Sequence, residues 1–145
     1  MGQDGMEKKQ IVGYTTGVFD LFHIGHLNVI RRSSELCYKL IVGVTTDELC
    51  FSRKSKIPII PFPERIAIVE SIRYVDRVVP QENMAKLEAW EKLRFDRIFV
   101  GDDWKGSTAW ARYEADFAKV GVEVFYLPYT ETTSSTLLRE KIEKL

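Results

Sequence analysis

The stretch "KLIVGVTTDE", Lys39 to Glu48, limits the fold more than any other part of the chain. Leu40, Ile41, Val42 and Val44 form a run without the in-and-out alternation of a strand that has one wet face. A strand of this kind is covered on both sides, as in a parallel sheet flanked by helices. "QIVGYTTGVFD" closes another apolar run with a glycine, and "DRVVP", "DRIFVG" and "VEVFYLP" read as further short strands. Between them lie helical patterns. "IGHLNVIRRSSELC" has Leu27, Ile30 and Leu36 near a helical period, and "PERIAIVESI" carries Pro63 close to its first turn. "NMAKLEAWEKL" is capped by Asn83, "TAWARYEADFAKVG" is ended by Gly121, and "SSTLLREKIEKL" is the final helix. "CFSRKSKIPIIPFPER" carries three prolines and no period, and reads as a loop.

Parallel neighbours need crossovers, and crossovers are right-handed. The expected fold is therefore α/β: a doubly wound, Rossmann-like parallel sheet of about five strands in a single domain. That domain spans residues 10–145, with residues 1–9 as a disordered tail or expression remnant. Such sheets bind ligands at the carboxyl ends of their strands, where strand order reverses. "GVFDLFHIGH", "TTD", "GDDW" and "PYTETTSST" all fall on that rim. The 21 basic residues equal the 21 acidic ones, which argues against bulk electrostatic binding to nucleic acid or anionic membrane. No apolar run approaches the roughly 20 residues that span a bilayer, and "MGQDGMEKKQ" lacks a signal-like apolar segment, so a cytoplasmic location is expected. Cys37 and Cys50 have neither metal spacing nor scaffold density and read as reduced, structural thiols.

Both histidines of the chain, His23 and His26, sit in the first rim segment as H-x-G-H, with Gly25 between them. Residues three apart on a helix share a face. Free N–H groups and the dipole at a helix start already favour an anion. Two imidazoles added there make a phosphate-sized pocket suited to a phosphorus centre that gains charge in its transition state. The alternative is a pair of surface or capping histidines. With no third histidine and no suitable acidic neighbours, no metal ligand is expected from protein side chains.

Ser134, Ser135 and Thr136 open the last helix, either as phosphate-gripping hydroxyls or as plain N-caps. "SRK" and Lys56 form a basic cluster in a proline-bounded segment, either a solvated run or a lid that brings Lys54 and Lys56 onto a triphosphate. Arg73 either faces the site or pairs with Asp76, and Asp102 and Asp103 follow the fourth strand as turn formers or ligand contacts. P-loop and dinucleotide fingerprints are absent.

Taken together, "GVFDLFHIGH", "VGVTTDE", "ERIAIVESIRYVDRVVP", "FVGDDW" and "YTETTSST" resemble the cytidylyltransferase family, within the H-x-G-H nucleotidyltransferases, and most of all its bacterial glycerol-3-phosphate branch. The resemblance runs from Val12 to about Ile142. It implies transfer of CMP from CTP, with Mg²⁺, to a small phosphate- or phosphonate-bearing acceptor, with release of pyrophosphate. Glycerol 3-phosphate or a similar polyol phosphate is the first guess, and a hydroxyalkylphosphonate is a second. The resemblance also implies a homodimer. By the same likeness, His23, His26 and Lys56 would be catalytic. Gly17, Val18, Phe19, Gly25, Lys54, Asp103, Tyr129, Thr130, Ser134, Ser135 and Thr136 would join them in holding the nucleotide, and Asp20, Arg65 and Arg73 would serve the acceptor. The family's G-T-F-D reads G-V-F-D here, Tyr129 and Thr132 replace an arginine and a glycine of the late motif, and the family's acceptor lysine has no counterpart at Met84 or Leu87. An adenylyltransferase of cofactor biosynthesis and a non-catalytic nucleotide-binding module are the competing readings.

Overall fold

A computed structural model describes residues 10–128 and 133–145. The strands are β1 (Val12–Gly17), β2 (Lys39–Thr45), β3 (Arg77–Gln81), β4 (Arg97–Gly101) and β5 (Glu123–Leu127). The helices are α1 (Ile24–Glu35), α2 (Asp47–Lys54), α3 (Phe62–Glu70), α4 (Lys86–Leu93), α5 (Thr108–Ala118) and α6 (Ser135–Glu143), and a 3₁₀ turn covers Asp102–Trp104. The five strands form one sheet in the order β3-β2-β1-β4-β5, and every pairing is parallel. Winding runs outward from β1 to β3 on one side and from β4 to β5 on the other. The order reverses between β1 and β4, and a crevice opens beyond their carboxyl ends.

The run in β2 behaves as its sequence requires. Leu40, Val42 and Val44 pack into one core layer with Phe19, Ile30, Val69 and Phe99, while Ile41 packs into the opposite layer with Tyr14, Phe95, Ile98 and Phe117. Each of these β2 side chains is at most 3% exposed, so each contributes about 1.5–3 kcal/mol by leaving water.

Two local expectations are corrected. The segment read as an irregular loop after Cys50 begins inside α2, which runs to Lys54. Thr46 caps that helix by accepting from the Leu49 N–H at 3.2 Å, acidic Asp47 and Glu48 sit in its first turn, and Arg53 and Lys54 in its last. Only Leu49 and Cys50 of α2 are buried, too few to write a helical period into the sequence. Asn83 does not cap α4 directly: its side chain accepts from the Ala85 N–H at 2.9 Å, a turn before the helix, and Ala85 is the capping residue. Gly121 does follow α5 with φ of +79°, the left-handed geometry that glycine takes at no steric cost.

Candidate active site

The loop from β1 to α1 is wound tightly around Asp20. Phe19 and Leu21 on either side of it hold φ of +55° and +50°, a region that non-glycine residues rarely occupy. Such strain persists only where the surroundings over-determine it, and here they do. The Asp20 carboxylate accepts from the Ile59 and Ile60 N–H groups, each at 2.8 Å, and from the Arg139 guanidinium of α6. Its carbonyl accepts from the Ser135 hydroxyl at 2.6 Å. Burial pushes the Asp20 carboxyl toward neutrality, but the Ile60 and Ile59 amides and the Arg139 charge outweigh it and hold the pKa below its ordinary value.

Arg65 is the second anchor. It has no exposed surface. Its guanidinium donates to the carbonyls of Ile60 (2.8 Å), Val18 (2.6 Å) and Thr45 (2.8 Å) and to the Asp47 carboxylate (2.6 Å). The planar fork thus ties together the β1 loop, the end of β2, the start of α2 and the segment before α3. Asp20 and Arg65, read as acceptor contacts from the sequence, are therefore occupied by the protein itself. Arg73 is exposed before β3, at the amino ends of the strands and away from the rim, and donates to the Tyr74 hydroxyl at 3.0 Å rather than pairing with Asp76.

On this frame the two histidines cap α1. His23 is the N-cap residue, and its Nδ1 accepts from the Gly25 N–H at 3.0 Å. The Nδ1 of His26 accepts from the His23 N–H at 3.2 Å, which closes a reciprocal capping box. The rings stack with centroids 3.9 Å apart. Gly25 is required: a Cβ there would lie 2.7 Å from His23 Cε1. Of the two roles set against each other in the sequence, capping is the one met here, and it engages only Nδ1 of each ring. An Nδ1 that accepts carries its lone pair, so the proton of each neutral ring is on Nε2. Neither Nε2 has a hydrogen-bond partner among the described residues. Burial, followed by the charge of His23, drives the His26 pKa down to about 4, and burial lowers that of His23. The pair thus presents neutral N–H donors.

His26 lines a cleft of about 350 Å³ together with the Gly17–Asp20 loop, Lys54, Lys56, Asp103 and Thr136. His23 and Gly25 line its neighbour with Thr133, Ser134 and Ser135. The predicted nucleotide residues within the described segments thus converge at the switch point. Ser134 is a plain N-cap, accepting from the Leu137 N–H at 3.1 Å, and the Ser135 hydroxyl goes to Asp20, which leaves Thr136 with the exposed hydroxyl of the three. Tyr129 and Thr130 lie outside the described residues.

Sequence reasoning missed Lys86. It opens α4, is 7% exposed, and has no carboxylate partner among the described residues. Its ammonium lies 5.3 Å from the Trp110 ring centre and 5.6 Å from that of Tyr113. Burial, then the charge of Arg53, lowers its pKa to about 8. Lys86 and Arg53 line a chamber of about 300 Å³ that shares Gly17, Val18 and Trp104 with the main cleft. The start of α4 at Lys86 buries this residue against Trp110 and Tyr113 while its neighbour Leu87 packs on the core, and that placement could be read only from the exact helix boundary.

Among the described residues, no group of three or more His, Cys, Asp or Glu could hold a metal ion, and no helix is long and apolar enough to cross a membrane. Cys37 and Cys50 are buried and form no disulfide.

The family model described as Cytidylyltransferase-like matches residues 14–141. The glycerol-3-phosphate cytidylyltransferase of Bacillus subtilis is 36% identical over 144 residues, covering 94% of this chain and 99% of that enzyme. An FAD synthase of Pyrococcus abyssi is 38% identical over 114 residues, covering 78% of this chain and 77% of that one. Among solved structures, a lipopolysaccharide core biosynthesis protein from Thermoplasma volcanium superposes with a TM-score of 0.69 at 25% identity, over 85% of this chain and 98% of that one.

Proposed function

Because the chain belongs to the cytidylyltransferase-like family and is a nucleotidyltransferase, we propose that it transfers the cytidylyl group of CTP to a small phosphate- or phosphonate-bearing acceptor. A polyol phosphate of the glycerol 3-phosphate kind is the preferred class, and pyrophosphate is the second product. The observation that carries this reading is the pair of stacked, neutral imidazoles, each accepting at Nδ1 from a backbone N–H and each with no Nε2 partner among the described residues, His26 at the switch-point cleft and His23 at the cavity beside it. An acceptor phosphate oxygen forms a bond to the α-phosphorus while the bond from that phosphorus to the bridging oxygen of pyrophosphate breaks. Charge grows on the equatorial oxygens, where preorganised donors stabilise it most. His23 and His26 supply those donors, and no proton need leave either ring.

Lys54 and Lys56 approach the triphosphate from the α2 side, and the Val18–Phe19 backbone, Asp103 and Thr136 border the nucleoside. Tyr129 and Thr130 complete the nucleotide contacts by family likeness alone. Lys86 supplies the cation for the acceptor phosphate in place of the missing family lysine, with Arg53 beside it. The described residues do not form a protein cage for magnesium, so Mg²⁺ belongs to this reading only as an ion brought in on the triphosphate. The homodimer also stays within the proposal, and light scattering on the purified chain tests it.

Relatives named FAD synthase favour a second reading, adenylyl transfer from ATP to a flavin acceptor. One assay separates the two. Pyrophosphate release is followed with each nucleoside triphosphate against a panel of phosphomonoesters, phosphonates and flavin mononucleotide. CTP-dependent release with a small phosphate acceptor supports cytidylyl transfer. Release with ATP and flavin alone overturns it.

A further inference from the structure

Behind the Lys86 chamber lies a second one of about 260 Å³, between α4 and the sheet, and Thr16, Gln81 and Lys86 line both. Its depth comes from β1 and β2. Thr16 pairs with Gly43 in the sheet register, and a Cβ on Gly43 would stand 2.6 Å from Tyr14 Oη and 3.0 Å from Thr16 Cγ2. The absent side chain is what keeps the space above these groups clear.

Val79, Pro80, Ala85, Ala89 and Leu93 make much of the lining apolar, and two hydroxyls without protein partners, those of Tyr14 and Thr16, stand on its β1 side. Tyr14 is 3% exposed, its ring stacks on Phe95 at 4.8 Å, and its hydroxyl has no hydrogen-bond partner among the described residues. The Thr16 hydroxyl likewise has none. No buried side-chain polar atom among the described residues is both sealed from solvent and unpaired, so the Tyr14 hydroxyl is reachable from the chamber. Burial pushes the phenol pKa up to about 12, so it stays a hydroxyl, donor and acceptor at once. Around the lining, exposed Arg77 and Lys92 offset exposed Glu82 and Glu88, so Lys86 is its net charge. An uncharged, hydroxyl-rich body suits such a space. A second anion or a cationic amine does not.

We infer that the acceptor is a polyol phosphomonoester longer than glycerol 3-phosphate, with its phosphate at Lys86 and its distal hydroxyls in the chamber floored by Thr16 and Tyr14. The inference rests on the cytidylyl-transfer reading and names the substrate within it. Thr16 and Tyr14 are two residues apart on β1, about 7 Å along a strand, so an acceptor that meets both hydroxyls from Lys86 spans a segment of about four to six carbons over them. The transfer step is unchanged: the acceptor phosphate oxygen bonds to the α-phosphorus, and pyrophosphate leaves with the electron pair of the broken bond.

The test is kcat/KM with CTP across a ladder of glycerol 3-phosphate, erythritol 4-phosphate, ribitol 5-phosphate and sorbitol 6-phosphate, read as pyrophosphate release. The five-to-three-carbon ratio is expected to exceed tenfold in the unaltered protein. It is expected to fall about tenfold in Tyr14→Phe, which keeps the stacked ring and removes one hydrogen bond. Gly43→Ala, checked for folding by circular dichroism, is expected to lower the same ratio by filling the space. A ratio at or below one, or a ratio that Tyr14→Phe leaves unmoved, overturns the inference. Turnover of glycerol 3-phosphate alone sinks the longer acceptor but leaves cytidylyl transfer standing. No CTP-dependent release with any acceptor sinks both.

Discussion

Acidification from pH 7 to 4 tests the state of the histidine pair. The ordinary imidazole midpoint is 6.5, and the folded protein holds that of His26 at about 4. A proton thus binds the folded His26 roughly 300-fold more weakly than the unfolded one, worth about 3 kcal/mol as an upper bound. The sign follows from proton counts. Between pH 6.5 and 4 the unfolded chain binds a proton that the folded one refuses, so stability rises with pH across that window. It is complete above 6.5, declines as the pH falls toward 4, and loses nothing further from this residue below that. The depressed Asp20 carboxyl acts below its own ordinary value of 3.8, so the two effects are separable. Urea unfolding at half-unit steps of pH measures the loss, and His26→Asn removes it. In parallel, ¹⁵N chemical shifts of the imidazoles at pH 7 report the tautomer, expected as Nε2–H on both rings. A His26 midpoint at or above 6.5, or an Nδ1–H tautomer, would refute the neutral-donor argument.

Three other outcomes are expected. His26→Ala lowers kcat for CTP turnover by about 100- to 1000-fold, the usual loss of a transition-state donor; a loss under tenfold in single-turnover kinetics removes His26 from the chemistry. Arg65→Met destabilises the fold by about 3–5 kcal/mol, because it strands the Asp47 carboxylate and the carbonyls of Val18, Thr45 and Ile60; urea midpoints measure it, and a cost below about 1 kcal/mol contradicts the anchoring role. Lys86→Met raises the acceptor KM more than tenfold with little change in the CTP KM, and in the unaltered protein the acceptor KM climbs as pH passes about 8 and the ammonium loses its charge. Equal effects on both substrates would count against its place at the acceptor.

The sheet was legible because β2 had to be buried on both faces, and Ile41 and Val42 do point into opposite layers. The histidine pair was legible because its spacing and its place after β1 are local facts. The roles of Asp20 and Arg65 were not. Their partners, Ile59, Ile60, Arg139, Val18 and Thr45, are distant in sequence or are backbone groups that any residue supplies. A charged residue near a motif reads as a ligand contact until its partners are known. Lys86 was hidden for the opposite reason, since a lysine in an amphipathic helix ordinarily faces water, and only the register of α4 against Trp110 and Tyr113 turns it inward.

The bond from Arg139 to Asp20 joins positions 119 residues apart, and the Ser135 hydroxyl adds a second link across 115. During synthesis the β1 loop leaves the ribosome long before α6 does. The nascent chain therefore carries both imidazoles while the strained turn beside them still lacks two of its restraints. Those two restraints on the turn are complete only once the final helix has docked against it.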